Sequence, residues 1–386
     1  MSRIDDLIAE YCPDGVKHQT LGEIGEFIRG NGIQKRDIQD SGFGCIHYGQ
    51  IYTYYGLFAD HTKSFIDPNL AEKRKKAYKG DLVIATTSEN EEDVCKACAW
   101  LGEEPIAISG DAYIFRHHQN PKYISYCFQS ELFQSQKKKY ITGTKVLRVN
   151  GDAMAKIHVP VPPLPVQEEI VRILDSFSSL EAELEAELEA RRKQYTHYRD
   201  ELLKFERVLI ASLGELCKIS VGRKNGTAGE FGEYPYVNAG TSMSGFVNEW
   251  SEEGDCVTTP SRGQGGMGFV AYQASRFWCG PLCYVMRSKH SDVMIKYVYY
   301  YLCSHKADIL GLVHEGGTPA INKSELAGLR ILVPPFEEQQ RIVSILDRFD
   351  KLTNDLSSGL PAEIEARHKQ YEYYRDRLLS FDELAA

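Results

Sequence analysis

The chain of 386 residues contains no run of 18 apolar residues, so no segment reads as a membrane helix. Its opening, Met1-Ser-Arg-Ile-Asp-Asp-Leu7, is acidic and has no apolar stretch of the kind a secretory signal needs. Cysteine is sparse, ten in all, which excludes a disulfide scaffold and leaves reduced thiols as the simplest state. A soluble, cytoplasmic, multidomain protein is therefore expected. Catalytic signatures are missing too. There is no Walker loop and no Gly-x-Ser-x-Gly elbow. Cys95-Lys-Ala-Cys98 and Cys279-Gly-Pro-Leu-Cys283 have no closely spaced histidine pair beside them, so no metal is expected. Gly263-Gln-Gly-Gly-Met-Gly268 fits the dinucleotide fingerprint, but the residues after it read as a strand, not as the helix that would hold a pyrophosphate. It reads instead as a glycine-rich hairpin near a ligand. Val333-Pro-Pro-Phe336 has the outline of an amino-methyltransferase box, with valine where a polar residue must hold the target amine.

What the sequence does contain is itself, twice. Val161-Pro-Pro-Leu-Pro-Val-Gln167-Glu-Glu-Ile170-Val-Arg-Ile-Leu-Asp175 returns 172 positions later as Val333-Pro-Pro-Phe-Glu-Glu-Gln339-Gln-Arg-Ile342-Val-Ser-Ile-Leu-Asp347. Glu189-Ala-Arg-Arg-Lys-Gln-Tyr195 and Tyr198-Arg-Asp200 return 176 positions later as Glu365-Ala-Arg-His-Lys-Gln-Tyr371 and Tyr374-Arg-Asp376, so the second copy gains four residues. Fainter pairs surround these: Leu21-Gly-Glu23 with Leu213-Gly-Glu215, Lys122 to Ser130 with Lys296 to Ser304, and Gly143-Thr144 with Gly317-Thr318. Each half is one variable globular unit followed by one strongly repeated helical unit.

The prolines at 162, 163 and 165 stop any preceding element. An apolar stripe at helical spacing follows, with Ile170, Leu174, Phe177, Leu184 and Leu188 in the first copy and Ile342, Leu346, Phe349, Leu352 and Ile364 in the second. A helix of about 40 residues, roughly 60 Å long, cannot bury such a stripe alone. The two copies are expected to pack as an antiparallel coiled coil, the second kinked at the inserted Ser357-Ser-Gly-Leu-Pro361 with a serine re-capping it. The globular units read as α+β. Strands are expected at 81–87, 112–115, 256–259 and 269–272, and helices at 122–134, with Tyr123, Ile124, Phe128 and Leu132 on one face, and at 293–310. The expected organisation is an N-terminal segment (1–15), a first globular domain (16–160), a spacer helix (161–206), a second globular domain (207–332) and a second spacer helix (333–386), related by a pseudo-twofold repeat.

Charge is partitioned. Residues 16–160 hold 19 basic against 17 acidic side chains and 207–335 hold 12 against 11, whereas 161–206 hold 6 against 11 and 336–386 hold 7 against 11. The globular units are mildly basic and the helices acidic, so the globular units are the parts that suit an anionic partner. The dense basic spots are Lys35-Arg36, Lys73-Arg-Lys-Lys76 and Lys137-Lys-Lys139. The candidate contacts with such a partner, for which the family resemblance given next implies DNA, are Lys35, Arg36, Lys73, Arg74, Lys75, Lys76 and Lys145 in the first unit, and Arg223, Lys224, Arg262, Gln264 and Lys323 in the second. Most are expected on phosphates, with Arg262 and Gln264 aimed at base edges from the glycine-rich turn.

The paired Pro-Pro-[Leu/Phe]-x-x-Gln-x-x-Ile-Val-x-Ile-Leu-Asp and Glu-Ala-Arg-[Arg/His]-Lys-Gln-Tyr-x-x-Tyr-Arg-Asp segments resemble the conserved regions of type I restriction–modification specificity subunits. Asp5-Asp-Leu-Ile-Ala-Glu-Tyr-Cys-Pro-Asp-Gly15 and Gly316-Gly-Thr-Pro-Ala-Ile-Asn322 add to the resemblance. It implies a non-catalytic chain whose two target recognition domains each read half of a split, asymmetric double-stranded DNA site. Its helices would set the gap and dock two modification subunits through acidic, tyrosine-bearing outer faces. Those partners would hold S-adenosylmethionine and methylate adenine, and restriction subunits would add ATP- and Mg-dependent translocation and cleavage. The neighbouring alternative is the specificity chain of a related non-type-I restriction–modification or phage-defence system. A self-sufficient adenine methyltransferase and a coiled-coil scaffold without a nucleic-acid role are the readings from other classes.

Overall fold

A computed structural model of the chain describes residues 3–223, 228–355 and 358–384. They form two compact units, Met1–Glu183 with Glu365–Ala386, and Leu184–Ile364. Both unit boundaries fall inside helices, so each unit holds a stretch of both spacer segments. No helix among the described residues is long and apolar enough to cross a membrane.

In the first unit, a five-stranded sheet takes the order Gly25–Arg29, Ala112–His117, Leu82–Ala85, Lys96–Trp100, Phe58–Ala59. Its central strand, Leu82–Ala85, is buried at every position. A second, four-stranded sheet is built from Ser64–Ile66, Phe43–Ile46, Ile106–Ile108 and Lys76–Ala77. The second unit repeats the main sheet with four strands, in the order Cys217–Val221, Cys283–Ser288, Cys256–Pro260, Ala271–Gln273. The match extends to detail, since Thr20 with Glu23 and Ser212 with Glu215 close the same capping box just before the first strand.

The first spacer is a continuous helix, Leu164–Leu202, with Pro165 in its first turn where a missing N–H costs little. The second is two helices, Phe336–Asn354 and Leu360–Leu378. At the break, Gly359 lies so close to the preceding helix end that a Cβ there would stand 2.5 Å from the Lys351 carbonyl oxygen. Ser357 lies outside the described residues; Ser358 turns its hydroxyl back to Asp355 at 2.5 Å. Within the first unit the helical stretches run antiparallel, and in the second the equivalent residues meet. In the first, Phe177 stacks on Tyr374 at 5.4 Å and Glu181 meets His368 at 2.8 Å. In the second, Tyr195 and Tyr198 pack against Phe349 at 6.4 and 5.7 Å.

The repeated residues tie these helices to the domain beside them. The Gln167 amide donates to the Pro162 carbonyl (2.7 Å) and to Gln119 (2.8 Å), and accepts from the Asn120 N–H (3.0 Å). Gln339 does the same with Pro334 (2.9 Å), Asp292 (3.1 Å) and Met294 (2.9 Å). Asp175 receives Lys122 (2.7 Å) and the Tyr126 hydroxyl (2.8 Å); Asp347 receives Lys296 (2.7 Å) and Tyr300 (2.5 Å). Lysine and tyrosine four residues apart share one face of the anchoring helices Pro121–Gln129 and Ile295–Ser304. The other spacer closes each unit: Asp376 accepts the Glu131 N–H (3.0 Å), and Asp200 accepts from the Ser304 hydroxyl (2.7 Å).

Ile170, Leu174, Ile342 and Leu346 are buried, while Phe177, Leu184, Leu188, Phe349 and Ile364 are half-buried. Leu352, expected in the stripe, is 40% exposed; Thr353 takes the buried place and donates its hydroxyl to the Phe349 carbonyl. The helix expected over 122–134 is broken at Ser130, whose hydroxyl caps a new helix, Glu131–Lys137. The break turns Leu132 outward and buries Phe133. The helix expected over 293–310 is likewise two, Ile295–Ser304 and Lys306–Leu310.

His117, at the end of the Ala112–His117 strand, accepts the Gln119 N–H through Nδ1 (3.1 Å) and leaves Nε2 buried without a partner. Burial, reinforced by His118 and opposed by Asp81, holds the imidazole down to about 4. The unfolded chain takes up this proton near pH 6.5, so between those values acid favours unfolding. We expect the stability contributed by neutral His117 to be intact above pH 6.5 and lost as pH falls toward 4, by about 2–3 kcal/mol. His117→Asn keeps an acceptor and removes the titration, so denaturation midpoints compared at pH 7 and 4.5 should fall less for the variant. An identical pH dependence would refute the assignment.

Candidate nucleic-acid interface

Strand register brings Arg29, Ala112, Ala85 and Lys96 to one end of the first unit's main sheet. Of the segments at or beside this end, the loop after Arg29 carries Lys35 and Arg36, the stretch before the Lys76–Ala77 strand carries Lys73, Arg74 and Lys75, and the loop over 86–95 is acidic, with Glu89, Glu91, Glu92 and Asp93. Asn31 clamps two of the basic residues together: its side-chain N–H donates to the Lys73 carbonyl (3.2 Å) and its oxygen accepts the Lys75 N–H (2.8 Å). The loop then continues into the short Lys35–Asp37 turn. Gly32, at φ +62, lies against the Arg74 guanidinium, where a Cβ would come within 2.9 Å. Arg74 Nε is buried with no hydrogen-bond partner. Lys76 sits over the Phe43 ring at 5.4 Å. Lys35, Arg36, Lys73 and Lys75 are exposed, and Arg74 and Lys76 half-buried. The local field is felt by His47, which burial, with Lys35 behind it and Asp111 opposing, holds below its ordinary value. Lys145 is exposed on a separate hairpin at the same sheet end, where Leu147 and Arg148 pair with Ser88 and Thr87.

The second unit brings Val221, Cys283, Pro260 and Ala271 to the corresponding end. The Arg223 N–H donates to the Cys279 carbonyl (2.8 Å), and Asn238 accepts the Leu282 N–H (2.9 Å), which fixes three loops against each other. The glycine-rich segment joins two antiparallel strands, as a hairpin should. Gly266 passes so close to Ala239 that a Cβ would stand 2.0 Å from its carbonyl oxygen, and this frees Arg262 and Gln264 to project as exposed side chains. Arg262 is bridged to Ala320. Lys323 is exposed where the Lys323–Gly328 helix begins. Lys224 lies outside the described residues.

The lysine run at 137–139, a dense basic spot in the sequence, is split: Lys138 and Lys139 are exposed, whereas Lys137 turns inward. Lys137 is 1% exposed, and its ammonium donates to the carbonyls of Glu91 (2.7 Å), Glu92 (3.2 Å) and Val94 (3.0 Å) and to Gln134. Burial pushes its pKa below the ordinary lysine value. Sequence reasoning also passed over Asn31 and Asn238, single polar residues whose partners lie 42–44 positions away. The Gly-Thr repetition marked the hairpins at 142–148 and 314–320, but not their pairing with the sheet. Among the described residues, no three metal-ligating side chains gather.

Two units with one plan, each presenting loops at the same sheet end, define a duplicated recognition chain. The family model for the type I restriction modification DNA specificity domain matches residues 13–190 and 208–366, and the chain belongs to that family. It is 35% identical over 273 residues to the EcoR124I/EcoR124II specificity subunit of Escherichia coli, a match covering 60% of this chain and 65% of that one. It is 33% identical over 244 residues to the putative specificity subunit S.MpnORF615P of Mycoplasma pneumoniae, covering 59% and 94%. The fold is similar to the S subunit structure from M. genitalium, with TM-score 0.61 at 15% identity over 94% of this chain and 96% of that one.

Proposed function

We propose that this chain is the DNA sequence-specificity subunit of a type I restriction–modification complex. Each unit reads one half of a split, asymmetric double-stranded site through the loops at its sheet end. The spacer helices set the gap and dock two modification subunits. Those subunits hold S-adenosylmethionine and methylate adenine; restriction subunits, with ATP and Mg, complete the assembly. The chain's own part is recognition, and it makes and breaks no bond. The observation that carries this reading is the recurrence, in two units of diverged sequence, of one loop-bearing sheet end furnished with basic side chains.

The expected result of neutralising Lys35, Arg36, Lys73, Arg74, Lys75, Lys76 and Lys145, or Arg223, Lys224 and Lys323, is weaker binding to every duplex. The salt dependence should flatten by about 0.9 in log–log slope for each phosphate contact removed. Arg262→Ala or Gln264→Ala should instead relax the sequence methylated at one half-site only. Methylation profiling of DNA from cells expressing the chain with its modification subunit, beside binding titrations over a range of salt, reads both. Unchanged affinity and slope in the fully neutralised variants would sink the contact assignment.

A further inference from the structure

One element at the sheet end recurs with its backbone hydrogen bonds intact. In the first unit, Thr142 and Arg148 exchange N–H···O bonds of 2.9 and 2.8 Å across a five-residue loop; in the second, His314 and Ala320 do so at 2.9 and 3.3 Å, again across five. Each hairpin is mounted on the extension of the buried central strand. The Val149 N–H reaches the Thr86 carbonyl (3.2 Å), the Ile321 N–H reaches that of Ser261 (2.9 Å), and the Gly263 N–H reaches that of Pro319 (3.0 Å). Residues 143–146 and 315–318 are all exposed.

The glycines at the two tips differ in kind. Gly143 has a reason internal to the fold: φ is +99, and a Cβ would lie 2.2 Å from the Val146 carbonyl oxygen. Gly316 and Gly317 have none. Neither has a left-handed φ, and a Cβ on either would meet nothing within 4 Å. Glycine where its own chain leaves room for a side chain is what close approach of another molecule to the backbone requires.

We propose that the two hairpins are paired phosphate grips for double-stranded DNA, one per half-site, which position the duplex and do not read it. The proposal rests on the DNA-reading function above. In each, exposed backbone N–H groups and one threonine hydroxyl, Thr144 or Thr318, meet a phosphate. Lys145 and Arg148 supply charge beside the first tip, and Lys323 beside the second. Glu315 is the single acidic residue in either five-residue loop and opposes the contact. Rigid mounting on a central strand suits a register-setting contact, which must be alike in both units while the reading loops diverge.

The test uses the complex with its modification subunits, a duplex carrying the methylated sequence, and a scrambled duplex. Gly316→Ala with Gly317→Ala, in open space, should leave thermal stability unchanged and weaken binding to both duplexes by the same factor, about tenfold. Thr144→Val and Lys145→Ala should act likewise, Glu315→Gln should tighten both, and the methylated sequence should stay the same throughout. On the wild-type complex, replacing single phosphates by neutral methylphosphonates should locate one position that weakens binding as Lys145→Ala does, and that has no further effect in Lys145→Ala. Unchanged affinity in the glycine variant, or a changed methylated sequence at one half-site, overturns the grip. A wild-type complex that binds both duplexes equally and without salt dependence overturns the DNA-reading function itself.

Discussion

Gln167→Ala should destabilise the first unit by about 3–5 kcal/mol, among the largest effects of any polar substitution in the chain. The side chain is buried and makes three hydrogen bonds, to the Pro162 carbonyl, Gln119 and the Asn120 N–H. Truncation leaves a carbonyl and an amide N–H buried without partners, each at about 1–3 kcal/mol, and opens a cavity beside Val166 and Ile170. Gln339→Ala should cost the second unit as much, since Pro334, Asp292 and Met294 are orphaned in the same way. Hydrogen exchange separates the two. Gln167→Ala should speed exchange in Pro121–Gln129, and Gln339→Ala in Ile295–Ser304. A loss below 1 kcal/mol in either variant would mean that the repeated glutamine does not hold helix to domain.

The second large effect concerns the gap between half-sites. Inserting Glu-Ala-Glu-Leu after Leu184 extends a pattern already present at 181–184 and 185–188. Four residues add roughly 6 Å and slightly more than one turn, so Leu184 and Leu188 nearly keep their register. On B-DNA, with about 3.4 Å of rise per base pair, the same two half-sites should be methylated with one or two more base pairs between them. Two inserted residues rotate the following stripe by about 200° and should abolish assembly. A four-residue variant that folds, binds its modification subunits and methylates at the original spacing would show that the helices do not measure the gap.

The spacer helices were legible because their signals are local. Prolines mark the start, and a stripe at spacings of three and four marks the length, so 161–206 resolves to Leu164–Leu202. The purpose of the repeated Gln and Asp was not legible. Gln167 finds partners 47–48 positions away and Asp175 finds them 49–53 away, pairings that no periodicity encodes. Among the acidic residues of the spacers, Asp175 and Asp347 face the domain beside them and not an outer surface. Lys137 was misread for a related reason. In a run of three lysines, composition is the same whichever points inward, and the cap at Ser130 rotates the helix so that Lys137 does. At the interface the basic runs stood out, while the loop geometry that presents them depends on single asparagines and glycines.

The Lys–Tyr face of each anchoring helix has a consequence for how new specificities arise. Lys122 with Tyr126, and Lys296 with Tyr300, meet one aspartate in one geometry, although the sheets and loops behind them differ. A foreign domain grafted between the spacers would need a helix with lysine and tyrosine four residues apart, preceded by a backbone N–H for the spacer glutamine. Beyond that helix, its loops are free to differ. On the proposed function, exchange of whole domains between related chains would therefore change the sequence read in one step, with the spacers left as they were.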